Sequence, residues 1–447
     1  MIGITLVEYW CNARNSRMRA SSLILLVLIL VGCGGAEAEP TGTSPPPVPS
    51  GTATPIPSTA ASSLPAATPR PPTPEPVSEG SLVITNGTVI DGTGADPIVD
   101  GIVIIAGDRI TAVGSASDFA IPPAVRVIDA QGGTILPGFI NAHIHQGYDE
   151  GNLKAWAQGG VTTVRDLLDD GPRQELFSFR DALRDQPQYA RLVAAGPAVT
   201  VPNGYPMVPW GVPGLTVNSA DDAREKVNQL LDDGADLIKI MMESGKTFGR
   251  VIPVLSPSEG SAIVQVAHGR GIPVTAHAMD ASDLERALDA GVDDVAHMIW
   301  DPLPDELVAR MVENDVFWVP TLELYRYITR DAQNGWDQKA IGNLRRFVAG
   351  GGKVALGTDF AGYGAEFELG MPMLEIESMQ EAGMTPMQII VAATRNAAHV
   401  CNLGSETGTL EAGKKADILV VDGDPLTDIR ALARTTLVLR DGIVIRQ

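Results

Sequence analysis

Eight short apolar runs that alternate with helical segments fill the middle of the chain, residues 138–402. The runs are FINAHIH, VTTVRD, RLVAAGPAV, ADLIKIMM, IPVTAHA, VDDVAHM, VFWVPTL and KVALGTD. Amphipathic segments such as SADDAREKVNQLLDDG and ASDLERALDAG lie between runs and end at glycine, as helices commonly do. Eight strands alternating with helices are typical of a parallel barrel. We therefore predict an α/β fold with a (β/α)8 TIM barrel over residues 138–402.

Other β-type runs lie on both sides of this region, in residues 81–137 and 403–447. They include LVITNGTVID and TTLVLRDGIVI, in which Asn86-Gly87 and Asp441-Gly442 favour tight hairpin turns. Strands at both ends of a long middle region predict one small β-sandwich domain, built from segments on both sides of the barrel.

The N-terminus has the pattern of an export signal. Three arginines, Arg14, Arg17 and Arg19, precede the apolar run 23–31, which is shorter than the roughly 20 residues that span a bilayer. Leu30-Val31-Gly32-Cys33 is similar to the lipobox of bacterial lipoproteins. This resemblance implies a signal peptide over 1–33, lipidation of Cys33 and an exported protein that contacts the membrane only through its lipid. The signal is also complete if translation begins at Met18.

Residues 34–80 are rich in Pro, Thr, Ser and Ala, and such a segment cannot bury a core. We predict a disordered linker there. The formal net charge of −21 argues against a nucleic-acid partner, because phosphate binding needs a basic surface. Once Cys11 leaves with the signal and Cys33 carries lipid, Cys401 is the only thiol, so no disulfide within one mature chain is expected. The sequence leaves a homo-oligomer open.

Polar residues stand at the ends of five apolar runs. His143 and His145 are two residues apart, so they face the same way in a strand. The other runs carry Lys239, His277, His297 and Asp359. In a barrel the carboxyl ends of the strands meet at one mouth, where enzymes of this fold hold their chemistry. Imidazole and carboxylate suit Zn²⁺. His268 and His399 lie in helical stretches, and we expect structural roles for them.

These motifs match a family. GFINAHIH, GADLIKIM, VTAHA, DDVAHM and LGTD resemble the amidohydrolase superfamily, in its branch with two metal ions bridged by a carboxylated lysine. The resemblance covers roughly residues 82–440, including TRNAAHV and GTLEAGKKADILVVDGDP. Within that branch the chain is similar to imidazolonepropionase-like and Xaa-Pro dipeptidase-like proteins. However, Asn203-Gly204-Tyr205 stands where the dipeptidases have a Gly-Gly-His type loop, and the imidazolonepropionases proper lack the lysine, so the substrate stays open.

The resemblance implies two divalent ions, zinc by preference. One would be held by His143, His145 and Asp359, and the other by His277 and His297. Carboxylation of the Lys239 amine by CO₂ would supply the bridging ligand. A metal-bridging hydroxide, formed because metal lowers the pKa of water to about 7, would attack the substrate carbonyl. Asp359 would take the proton and pass it to the leaving nitrogen.

The predicted function is therefore hydrolysis of a carbon–nitrogen bond in a small molecule, such as an amide, a cyclic amide or a dipeptide. An esterase, lactonase or phosphotriesterase on the same metal site is one alternative. A non-catalytic surface lipoprotein that binds metal or peptide is another. For substrate contacts we name Tyr205, Arg165, Tyr325 and Tyr363, which follow or end strands near the mouth. For Arg165 we favour a salt bridge at the barrel rim over a substrate contact.

Overall fold

The computed structural model describes residues 78, 80–329, 335–360, 367 and 369–447. All of them belong to one compact unit, Glu75–Gln447. The predicted signal peptide, nearly all of the predicted linker, and the candidates Cys33 and Tyr363 lie outside the described residues. None of the helices in the described part of the chain has both the length and the apolar composition needed to cross a bilayer.

Nine parallel strands form two sheets in the middle of the chain. One sheet contains β6, β7 and β8, and the other has the order β10-β9-β11-β12-β13-β14. Their bounds are β6 Phe139–Ile144, β7 Val161–Asp166, β8 Arg191–Ala194, β9 Val199–Thr200, β10 Leu215–Thr216, β11 Ile238–Met241, β12 Val274–His277, β13 Asp294–Ala296 and β14 Phe317–Val319. Seven of the eight predicted runs thus contain a named strand, and the two-residue β9 and β10 are additional.

The eighth run, 353–359, contains no named strand, but isolated bridges pair Val354 within it and Phe360 directly after it. Trp318 of β14 bridges Val354, and Ile144 of β6 bridges Phe360. On the other side, the amide of Asp236, just before β11, donates to the Ala194 carbonyl at the end of β8 (2.9 Å). Backbone hydrogen bonds therefore connect both edges of the three-stranded sheet to the six-stranded one.

Helices follow most of these strands, and several begin at a side-chain cap. The Ser256 hydroxyl accepts from the amide of Glu259, and the Glu259 carboxylate accepts from the amide of Ser256. Asp280 caps the next helix. That helix ends at Gly291, which has φ 88°. The helices are Glu150–Gly159, Arg173–Leu183, Met207–Trp210, Ala220–Asp232, Pro257–Gly269, Ala281–Ala290, Asp305–Glu313, Leu322–Thr329, Trp336–Ala349, Met373–Glu381, Pro386–Val391 and Ala397–Val400. A large apolar cluster fills the space between these helices and the strands.

Strands from both ends of the described chain share a third sheet. Its order is β17-β16-β15-β5-β1-β2-β3, with β4 also paired to β1, so it is one branched sheet and not the two separate sheets of the predicted sandwich. Apolar residues from both ends, among them Ile84, Ile135 and Ile418, pack in one cluster. The strands are β1 Leu82–Val89, β2 Ile98–Ala106, β3 Arg109–Ser115, β4 Arg126–Asp129, β5 Thr134–Pro137, β15 Ile418–Val421, β16 Thr435–Arg440 and β17 Ile443–Arg446.

The two predicted hairpins have different outcomes. Asp441-Gly442 joins β16 to β17 with φ of 49° and 75°, so this hairpin is confirmed. Asn86-Gly87 lies inside β1, where the register with β2 shifts on both sides of Gly87. Asn86 has φ 59° and its amide donates to Asp129 (2.7 Å). The predicted turn is therefore a bulge in a continuous strand.

Candidate metal centre

Two histidines lie at the end of β6 and meet a carboxylate from the eighth run. The Nε2 atoms of His143 and His145 each lie 3.0 Å from Oδ1 of Asp359. The two rings are 5.4 Å apart, which is the arrangement that residues i and i+2 of one strand produce. The amide of Asp359 donates to the His143 carbonyl (2.9 Å). This bond holds the carboxylate beside the two imidazoles.

Two more histidines approach from the neighbouring strands. His277 ends β12, and His297 directly follows β13. The His297 ring lies 4.8 Å from that of His143 and 4.5 Å from that of His277. His297 Nδ1 is 3.8 Å from Asp359 Oδ2 and 3.1 Å from the hydroxyl of Thr321. All four predicted histidines therefore belong to one cluster with Asp359.

Lys239 points into the same volume from β11. Its side chain is 2% exposed. Burial is the main cause that lowers the pKa of His143, His277 and His297, and the charge of Lys239 lowers it further. Burial lowers the pKa of Lys239 itself to about 7, against a partial opposing effect of Asp359. The structure thus brings together all six residues that the sequence placed at strand ends.

Hydrogen bonds within the described part of the protein do not satisfy all the buried polar atoms of this cluster. The 3.0 Å contact between His143 Nε2 and Asp359 Oδ1 lacks hydrogen-bond geometry. Among the described residues, five buried side-chain atoms of the cluster therefore make no hydrogen bond: His143 Nδ1 and Nε2, Lys239 Nζ, His277 Nε2 and Asp359 Oδ1. Buried polar atoms are nearly always paired, and an unmade bond costs about 1–3 kcal/mol. His143, His145 and Asp359 each offer one ligand atom, all within 4.8 Å of one another. Cations fit a group of convergent lone pairs of this kind.

Electrostatics keep the ligand atoms in the forms that bind metal. Burial lowers the pKa of His143 to about 3, so its ring is neutral at pH 7. Burial alone would raise the pKa of Asp359, but the imidazoles of His143 and His297 outweigh it and hold that pKa well below its usual value. Neutral imidazole and ionised carboxylate are the states in which these groups coordinate cations.

Three residues around the cluster have left-handed backbone. His297, Thr321 and Asp359 have φ of 72°, 50° and 60°. Non-glycine residues rarely adopt this conformation, and such strain concentrates at functional sites. The neighbouring Thr358 and Asn141 support the geometry, since Asn141 donates to the Thr358 hydroxyl (2.9 Å) and accepts from its amide (3.2 Å).

Arg165 does not face the mouth, which corrects our expectation that it contacts substrate. It is fully buried, and two of its nitrogens donate to the carboxylate of Asp294, each at 2.9 Å. Its remaining bonds go to the carbonyls of Ala142 and Val400. The salt-bridge interpretation is the right one, although the pair lies in the interior and not at the rim.

The tyrosine candidates differ in position. Tyr205 stacks on His277, with ring centroids 4.4 Å apart, and on Phe248 at 5.8 Å. Tyr325 is fully buried, and its hydroxyl donates to the Met298 carbonyl, so that hydroxyl is turned to the backbone. Of these two, Tyr205 is the one whose ring covers a candidate ligand.

The other two histidines lie apart from the cluster. His268 Nε2 is 2.9 Å from Asp293, and His399 stacks on Phe317 at 4.8 Å. Sequence reasoning missed Glu243, which is buried with Oε2 3.8 Å from His277 Nε2. It lies four residues after Lys239, but β11 ends at Met241, so strand alternation does not predict which way Glu243 faces. Sequence reasoning also missed Thr321, for which the sequence holds no signal that we can identify.

Histidines, a lysine and an aspartate gathered at the strand ends of a parallel α/β fold form a candidate metal centre. Residues 134–445 match the amidohydrolase family. The chain is 24% identical to the ochratoxinase of Aspergillus niger over 410 residues, covering 78% of this chain and 82% of the relative. It is 23% identical to the imidazolonepropionase of Geobacillus sp. over 373 residues, covering 73% and 84%.

A solved structure shows the same likeness. A Xaa-Pro dipeptidase with bound methionine superposes with a TM-score of 0.69 at 25% identity, covering 82% of this chain and all of the dipeptidase. The chain therefore belongs to the amidohydrolase family. It is an enzyme that hydrolyses carbon–nitrogen bonds, and this prediction is confirmed.

Proposed function

We propose that the protein is a metal-dependent amidohydrolase that cleaves an amide, a cyclic amide or a dipeptide. The observation that carries this proposal is the convergence of four histidines, Lys239 and Asp359, with five buried atoms left unpaired among the described residues. The names of the ochratoxinase and the dipeptidase relatives agree with a small-molecule or dipeptide substrate.

The proposal includes a closed (β/α)8 barrel around this cluster. The bridges of Trp318 to Val354 and of Ile144 to Phe360, with the bond from Asp236 to Ala194, support eight strands in a ring. The carboxyl ends of those strands would then surround one mouth.

In this proposal His143, His145 and Asp359 hold one divalent ion, and His277 and His297 hold the other, with zinc as the expected metal. Bound ions of this kind lower the pKa of water to about 7 and polarise a carbonyl. The chain supplies the ligands, excludes bulk solvent from them, and moves the proton.

Lys239 is proposed to bridge the two ions after carboxylation. The ammonium first loses one proton, and the neutral Nζ then adds to the carbon of CO₂ with loss of a second proton, so that a cation becomes a carbamate anion. The reaction needs the neutral amine, and a buried amine with pKa about 7 is substantially neutral at physiological pH. The absence of a hydrogen-bond partner for Nζ among the described residues also supports the modification.

Asp359 is proposed to carry the proton. The carboxylate is ionised at neutral pH because its pKa lies well below the usual value, and in this form it would take a proton from the attacking water. It then donates the proton to the leaving nitrogen, because an amine is a poor leaving group as an anion. Tyr205, stacked over His277, is the best-placed candidate for a substrate contact.

The test combines elemental analysis with a substrate panel. Purified protein should contain close to two equivalents of a divalent transition metal and hydrolyse members of a panel of dipeptides, N-acyl amino acids and cyclic amides. A metal-loaded protein that cleaves only esters, lactones or phosphotriesters would support the alternative hydrolase. A protein without metal or turnover would contradict the proposal.

We also propose that the protein is exported and anchored through a lipid on Cys33. The support is the sequence alone: the apolar run 23–31, the lipobox-like residues 30–33 and the linker that follows. Mass spectrometry of the mature N-terminus tests it, and an unmodified Cys33 in the membrane fraction would refute it.

A further inference from the structure

Glu243 is a buried carboxylate beside the candidate metal centre that the mechanism above does not use. It follows β11 by two residues, and the neighbouring amide of Met242 continues the strand pairing by donating to the His277 carbonyl (3.0 Å). The side chain is 1% exposed, and its Oε2 lies 3.8 Å from His277 Nε2. A charge buried this completely needs partners.

Two donors fix the orientation of that carboxylate. Oε1 accepts from the amide of Gly245 (2.7 Å), and Oε2 accepts from the hydroxyl of Thr247 (3.1 Å). Gly245 has φ 94°, and a Cβ there would lie 2.3 Å from the Arg250 carbonyl, so the turn requires glycine. The Thr247 hydroxyl in turn accepts from the indole of Trp300 (3.0 Å). This chain of hydrogen bonds holds Oε2 facing His277.

The other histidines of the cluster show what such an arrangement does. The Nδ1 of His145 is 3.3 Å from the Leu168 carbonyl, and the Nδ1 of His297 is 3.1 Å from the Thr321 hydroxyl. A histidine that binds metal through one nitrogen is usually oriented by a hydrogen bond from the other, often to a carboxylate. His277 Nε2 lacks a hydrogen bond among the described residues, and Glu243 is the carboxylate that faces it.

We propose that Glu243 is the positioning residue of His277, an inference that rests on the proposed function. When Nδ1 takes the metal, the 3.8 Å gap between Oε2 and Nε2 would close, and Oε2 would accept a hydrogen bond from the Nε2–H group. Tyr205 limits rotation of the same ring by stacking on its face, with an interplanar angle of 25°. Thr247 keeps the carboxylate aimed at the imidazole.

Glu243→Gln tests this inference. The amide oxygen takes the Gly245 bond, so the NH₂ group faces His277 and favours the wrong tautomer. Titration against a competing chromogenic chelator should show one of the two zinc ions bound about 10–100-fold more weakly, with the other unchanged. Glu243→Asp should recover part of the lost affinity. The matched control is Glu259→Gln, a buried glutamate that caps a helix through Ser256, and it should leave both affinities unchanged.

If Glu243→Gln binds both zinc ions with the same affinities as the wild type, the inference is overturned and the hydrolase proposal is unaffected. If that variant does not fold, Thr247→Val decides, because it keeps the carboxylate and removes the hydroxyl that donates to Glu243 and accepts from Trp300. We expect weaker binding of one ion there too, and unchanged binding would overturn the inference. A wild-type chain that binds no metal contradicts both proposals.

Discussion

Two groups of charged side chains are buried among the parallel strands, and their hydrogen bonding separates them. In the interior, Arg165 and Asp294 form a two-bond ion pair, and Asp294 also accepts from the Thr275 hydroxyl (2.6 Å). At the strand ends, the side-chain nitrogens of His143 and Lys239 make no hydrogen bond within the described residues. Both groups are fully buried, so burial alone does not distinguish a structural pair from a functional cluster.

The functional information lies in the grouping of unpaired atoms: of twelve such buried atoms among the described residues, five belong to this one cluster. A buried ion pair with every bond made is complete as protein structure. A buried group of ligand atoms without bonds is complete only when something binds to it. The backbone agrees, because the left-handed residues His297, Thr321 and Asp359 lie at the strand ends, whereas Arg165 lies in the regular strand β7.

Lys239→Ala should have the largest effect, and it acts at the unpaired cluster. Removing the bridging ligand should lower metal affinity by more than about 100-fold, beyond the range for an outer-shell partner, and abolish turnover. Stability should change little, because the lysine makes no hydrogen bond in the described structure. Metal content and kcat/KM measure the first effects, and thermal unfolding of the metal-free protein measures the last.

Acetate or propionate added to Lys239→Ala should restore part of the activity, since a small carboxylate can occupy the place of the carbamate. Full metal content and activity in this variant without such an additive would show that the bridging role is wrong. The strand-end cluster would then no longer differ from the Arg165–Asp294 pair in function.

Arg165→Met should lower stability and leave the metal site intact, which is the opposite of the effect expected for Lys239→Ala. Leaving Asp294 charged, buried and unpaired should reduce the free energy of unfolding by about 3–5 kcal/mol, while metal content in the folded protein stays unchanged. Urea unfolding measures the loss. The double variant Arg165→Met with Asp294→Leu should be less destabilised than the sum of the two single variants. Normal stability with a raised KM would instead show that Arg165 binds substrate after all.

The sequence predicted the six clustered residues because strand ends and a two-residue period are local features. His143 and His145 required only the alternation of a strand, and the runs around Lys239 and His277 showed where each strand ends. The sequence could not predict that Arg165 turns to Asp294, because that partner is 129 residues away and lies on another strand.

The strands at the two ends of the chain likewise depend on long-range pairing that the sequence does not reveal. Asp441-Gly442 forms a hairpin and Asn86-Gly87 a bulge, although both pairs allow positive φ. The difference comes from long-range pairing of β1 with β2, β4 and β5. Glu243 was missed for a related reason: it stands past the strand, and only the neighbouring strand reveals that it faces His277.

Glu375 is a buried acid that lies outside the cluster and yet has one carboxyl oxygen without a hydrogen bond. Oε2 accepts from the Glu323 amide (2.6 Å), and Oε1 has no partner among the described residues. Burial raises the pKa of Glu375 to about 8, against the opposing backbone bonds, so the folded protein holds the carboxyl neutral at pH 7. A neutral carboxyl can be buried with one oxygen unpaired at modest cost and needs no cation.

The smallest predicted effect is therefore a dependence of stability on pH. The pKa of Glu375 rises from 4.5 to about 8 on folding, so its stabilising effect is complete below pH 4.5 and is lost as pH rises through 8. The slope is at most about 1.4 kcal/mol per pH unit. Glu375→Gln should flatten the difference in unfolding free energy between pH 5 and pH 8 and stabilise the protein at pH 8. Parallel pH profiles of wild type and variant would mean that the carboxyl is ionised, and an unpaired carboxylate outside the cluster would then weaken unpaired atoms as a criterion for the site.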